Sequence, residues 1–112
     1  MDLTVTTAAL DERRCTVVLH GRLNAVSAPE LKARLKQLLQ GGSAQLIVDL
    51  SGVAFVDSSG LSALISGLKS AREAGGYLKL AGLNEQVGSI FRLTRLDRVF
   101  EMYPDVDAAL KS

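Results

Sequence analysis

The sequence predicts an α/β domain: an N-terminal β-hairpin, then alternating βα units, giving a mixed, mostly parallel sheet packed with about four helices. Three observations carry this. Gln45 to Leu50 holds Leu46, Ile47, Val48 and Leu50 in a nearly continuous apolar run, the pattern of a strand covered on both faces. Leu61, Leu64, Ile65, Leu68 and Ala71 then recur at one-helix-face spacing, up to Gly75-Gly76, which marks an amphipathic helix and its stop. Finally, the signals run strand, strand, helix, strand, helix, strand, helix, strand, helix. That alternation implies parallel strands joined by right-handed crossovers.

Each element has its own local reason. Leu3 and Val5 alternate with threonines, and Cys15, Val17 and Leu19 alternate with Thr16, Val18 and His20. With the polar turn Asp11-Glu12-Arg13 between them, they read as a hairpin ending at Gly21. Ser27-Ala28-Pro29-Glu30 is a helix start, with Ser27 as cap and Glu30 completing a capping box. Leu31, Leu35, Leu38 and Leu39 form its apolar stripe, and Gly41-Gly42 closes it. Beyond the central strand and helix, Tyr77 to Ala81 is a short strand ending at Gly82. Asn84 caps a helix whose inner face is Val87, Ile90 and Phe91, and Arg92, Arg95 and Arg98 complement its dipole. Val99, Phe100 and Met102 suggest a last strand, and Asp105 to Leu110 a final helical turn or two after Pro104.

The chain has 112 residues, read as one domain, and 47% are hydrophobic, enough for a core without covalent staples. Thirteen basic and 12 acidic residues are mixed along it, with no Trp and only two Tyr and three Phe. No basic stripe or stacking platform stands out, which argues against nucleic acid as a direct partner. The one cysteine, Cys15, excludes an internal disulfide framework and a CxxC metal site; it reads as a buried structural thiol. No leader-like segment opens the chain and no apolar stretch is long enough to span a bilayer, so the expectation is a cytoplasmic protein without membrane insertion or cofactor.

The organising stretch is Asp57-Ser58-Ser59-Gly60, at the joint between the apolar strand and the long helix. It places two hydroxyls and a carboxylate at the positive end of a helix, near the C-terminal edge of a sheet, where open α/β folds commonly carry function. A hydrolase elbow needs G-x-S-x-G, and only the last glycine is present; the one histidine, His20, precedes the serine rather than following it. A phosphate loop is missing its glycines and lysine, though the free amides of a helix start attract anions. Asp57 and Ser58 also fit a plain N-cap. Two features go further. The motif has more capping side chains than one helix needs. The helix also carries Ser59, Ser62, Ser66 and Ser70 as a stripe of small polar residues, with Ala63 and Gly67 beside it, a smooth face for a partner's backbone. A phosphate here would add about −1.5 to −2 charges, tolerable at a helix N-terminus but not at a docked interface.

Leu46-Ile47-Val48-Asp49-Leu50-Ser51-Gly52-Val53-Ala54-Phe55-Val56-Asp57-Ser58-Ser59-Gly60-Leu61 resembles the signature of bacterial anti-sigma factor antagonists, the single-domain STAS proteins. Gly21-Arg22-Leu23-Asn24, Ala28-Pro29-Glu30-Leu31, Gly75-Gly76 and Asp105 to Leu110 fall where that family has counterparts. The resemblance implies a STAS-type fold and a binding protein without catalytic activity. Its unphosphorylated form would bind an anti-sigma factor, often a serine kinase, and free a sigma factor. Phosphorylation of Ser58 would break the complex, and a serine phosphatase would restore it. Asp57 and Ser59 would flank the switch, Gly60 would let a partner approach, and the contact surface would include Arg22, Asn24, Ser62, Ala63 and Ser66. The family often has G-E-L-D where this chain has Gly21-Arg22-Leu23-Asn24, so a partner fitted to that acidic pair would meet a different surface. A rival reading keeps the fold but makes the chain a subunit of a lipid-transport ABC system or of another signalling scaffold.

Overall fold

The computed structural model describes residues 3–112. Five strands form one sheet in the order of the chain: β1 (Leu3–Ala9), β2 (Arg14–Leu23), β3 (Gln45–Val56), β4 (Tyr77–Ala81) and β5 (Met102–Tyr103). β1 pairs antiparallel with β2, and every later pair is parallel. The hairpin turn is tied by Asp11, which accepts from the Arg13 and Arg14 amides and pairs with the Arg14 guanidinium at 2.7 Å. Those bonds hold the Asp11 carboxyl down at about 2.

A parallel sheet built in chain order by right-handed crossovers places every connecting helix on one face. That is the arrangement here. Helices α1 (Ala28–Gln40), α2 (Ser58–Glu73) and α3 (Glu85–Leu93) all share one buried cluster with the sheet. Leu31 and Leu35 of α1, Leu64 and Leu68 of α2, and Val87 and Phe91 of α3 close over Val17, Leu19, Leu46, Val48 and Leu50. The other face has a smaller cover. The short helix α4 (Val106–Lys111) buries Ala109 against Ile47 and Ala81. Its cap is Asp105, whose Oδ1 accepts from the Ala108 amide at 2.8 Å. The central strand is therefore covered on both faces only around Ile47; Asp49 is half-buried and Ser51 exposed.

Several expectations need correction. β2 does not stop at Gly21. It passes through that residue at φ 115°, a value that suits glycine, with register irregularities on either side of it, and continues to Leu23. β3 likewise runs on to Val56. Ile65 was expected inside but is 39% exposed, while Gly60, Ala63 and Gly67 are buried. The last strand is only Met102–Tyr103; Leu96–Arg98 forms a 3₁₀ turn and Val99 is exposed. Ser27 precedes α1 but does not cap it with its side chain. Its hydroxyl donates to the Arg22 carbonyl at 2.7 Å and accepts from the Asn24 amide at 3.0 Å, and Asn24 Oδ1 accepts from the Val26 and Ser27 amides. Cys15 is buried as expected, and burial pushes its thiol pKa up.

Candidate functional site

The extra length of β2 and β3 builds the site. Arg22 pairs with Phe55 and Leu23 with Val56, so two strand ends emerge side by side at the start of α2. The Asp57 amide donates to the Leu23 carbonyl at 3.1 Å. The Asp57 side chain turns the other way and accepts from the Gly60 amide at 3.0 Å, a side-chain N-cap. Leu61 N then donates to Asp57 O, the first bond of the helix. The Ser58 and Ser59 amides are left at the open, positive end of the helix. Ser58 itself is exposed, and Ser59 is half-buried beside α1.

Gly60 has a different reason from the expected one. A Cβ there would lie 2.7 Å from both Leu23 Cγ and the Leu23 carbonyl. The glycine admits this chain's own β2 end, and it is buried. Ala63, 1% exposed, is likewise the floor of a cleft rather than a surface contact. Ser62 is exposed and Ser66 half-buried on the outer side of α2. Asn24 uses its side-chain carbonyl to shape the loop before α1.

Arg22 lies over the Phe55 ring, 5.1 Å from its centroid, a cation–π contact. Phe55 is 40% exposed and Val26 77% exposed. Phe55 also edges a cleft of about 400 Å³ that it shares with Ala54, Val87 and Ile90. These apolar surfaces were not singled out from the sequence. Phe55 sits in an apolar run without clean alternation, so its exposure had no signal there. Asn84 adds a tie the sequence did not show: besides capping α3, its Nδ2 donates to the Val53 carbonyl at 3.1 Å. His20, at the far side of the sheet, lays its ring against Gly52.

The fold and the site define an α/β domain that offers the open amino end of a helix, with flanking apolar and polar patches, as an exposed surface. The chain belongs to the STAS domain family, whose model matches residues 5–109. It is 32% identical over 92 residues to the anti-sigma-B factor antagonist of Bacillus subtilis, covering 82% of this chain and 84% of the relative. It is 29% identical to the anti-sigma-B factor antagonist of Staphylococcus aureus over 86% of this chain and 88% of that one. Among solved structures, an anti-sigma factor antagonist from Mycobacterium paratuberculosis superposes with a TM-score of 0.88 at 26% identity, covering 98% of this chain and 92% of that chain.

Proposed function

We propose that this chain is an anti-sigma factor antagonist, a regulatory binding protein switched by phosphorylation of Ser58. The observation that carries it is the placement of Ser58. It is exposed at the first position of α2, while the neighbouring Asp57 alone supplies the side-chain cap. The Ser58 hydroxyl is thus not needed to start the helix. The unmodified surface around it binds an anti-sigma factor and so frees a sigma factor. A serine kinase, in the simplest case the anti-sigma factor itself, transfers a phosphoryl group from ATP to Ser58 Oγ. The added charge of about −1.5 to −2 is tolerated by the open helix amides but is opposed within a desolvated interface. A loss of about 1.4 kcal/mol there already weakens binding tenfold. A serine phosphatase resets the surface. Arg22, Asn24, Asp57, Ser59, Ser62 and Ser66 frame the contact. The chain's part in the cycle is to bind and to accept a phosphoryl group, within the cytoplasm where sigma factors act.

The test is capture from native lysate with ATP, followed by mass spectrometry of both partner and bait. The expected result is an ATP-binding anti-sigma factor in the eluate and phosphate on Ser58. Ser58→Ala should retain the partner in the presence of ATP, and Ser58→Asp should retain at least tenfold less while keeping the wild-type melting temperature. A permease-linked ATPase as partner, with Ser58 unmodified, would instead make the chain a transport-system subunit.

A further inference from the structure

The groove between α1 and α2 carries two lysines along an otherwise apolar wall and hydroxyls along the other. Its upper part, about 380 Å³, is lined by Pro29 and Lys32 on the α1 side and by Ser59, Ser62 and Ala63. Its lower part, also about 380 Å³, has Lys32 and Lys36 flanking the apolar Ala33, Leu35 and Leu39 on the α1 side, against Ser66, Gly67 and Ser70. Lys32 borders both, and together they follow α2 from Ser59 to Ser70, about three turns from its amino end. The helices are drawn together at Gly67, where a Cβ would lie 2.6 Å from Leu35 Cδ1. Lys32 and Lys36 are exposed and stand one turn apart. The ion pairs among the described residues are Asp11–Arg14 and Glu85–Arg92, both elsewhere. Thr94 folds its hydroxyl back onto the Ile90 carbonyl, as helical hydroxyls often do; the α2 serines make no such bond among the described residues.

We infer that this groove receives an acidic helix of the anti-sigma factor, with two carboxylates one turn apart set against Lys32 and Lys36. The inference rests on the proposed function and names the chemistry of its partner. Small side chains on the α2 wall admit a helix closely, in the helix-in-groove manner, and the two ammonium groups set its charge and register. No aromatic ring lines the groove, and its charge is two lysines wide, so a nucleic acid strand finds neither stacking nor a phosphate track.

In-cell photocrosslinking from benzoylphenylalanine at Ala33 tests it. The wild-type chain should crosslink an anti-sigma factor within a segment carrying two acidic residues a turn apart. Lys32→Glu with Lys36→Glu should lower the yield at least tenfold, and replacing those two partner acids with lysine should restore it. Restoration excludes misfolding as the cause. Undiminished crosslinking by the reversed chain, a captured segment without acids, or no captured protein would overturn the groove proposal. The Ser58→Asp chain separates the two ideas. If it loses the partner while the reversed chain keeps it, the switch stands and the groove falls. If it keeps the partner while the reversed chain loses it, the groove stands and the switch falls.

Discussion

At the scale of single residues, the site depends on Asp57 and Gly60 doing different work on the same helix turn. Asp57→Ala removes the side-chain cap and should cost about 1 kcal/mol, recovered in part by Asp57→Asn. Gly60→Ala sets two effects against each other. Alanine raises helix propensity by up to about 1 kcal/mol. Its Cβ, however, meets the Leu23 carbonyl and Cγ, and overpacking of a tight contact costs about 1–3 kcal/mol. The carbonyl is held by the Asp57 amide and cannot yield easily, so the clash should win. Urea unfolding should show Gly60→Ala less stable than wild type; a gain in stability would show that β2 can shift away. The capping role of Asp57 was legible from its type and place before a helix. The role of Gly60 was not, because its neighbour Leu23 lies far upstream and comes close only through the bulged end of β2.

At the scale of elements, legibility followed periodicity. α1, α2 and β4 carry strong spacing and lie close to where the sequence puts them; β3 starts where expected but runs on past Leu50 to Val56, and β5 is two residues long and has almost no pattern to read. The docking of α4 could not be read from spacing at all. It turns on Lys79, 7% exposed in the middle of β4. The Lys79 ammonium lies 4.3 Å from the Tyr77 ring centroid and 5.7 Å from that of Tyr103, and donates to Ser112 Oγ at 2.7 Å and the Ala109 carbonyl at 3.4 Å. Its aliphatic stem fills space that methionine can fill. Lys79→Met should therefore remove charge-assisted bonds, about 1.5–3 kcal/mol, with the loss falling on local opening of α4 rather than on the sheet. Hydrogen exchange should quicken at least tenfold at α4 amides while β3 amides keep their protection. Equal acceleration in both would place Lys79 in the global core instead.

At the scale of the whole molecule, the two faces of the sheet have different tasks. The three connecting helices share the large core and hold the candidate site between β2, β3 and α2. α4 covers only the small cluster of Ile47, Ala81 and Ala109 on the opposite face. The strand order accounts for this division, since right-handed crossovers between neighbouring strands put their helices on one side; the apolar run of β3 pointed instead to cover on both faces, and the cover on the other side depends on a helix too short to announce where it docks. The division predicts that stability and recognition can be separated. Ending the chain after Pro104 re-exposes Ile47, which should cost about 1.5–3 kcal/mol, together with the lost anchoring of Lys79. The Asp57 cap, the Leu23 contact and the α1–α2 groove involve no residue of α4, so the shortened chain should bind the anti-sigma factor within a few-fold of the intact one at temperatures where both are folded. Thermal melts and partner titration on the same preparations check both halves. A shortened chain that melts lower and binds as before confirms the separation. A folded shortened chain that no longer binds would show that the α4 face belongs to the recognition surface, and the partner contact would then have to reach round the sheet edge.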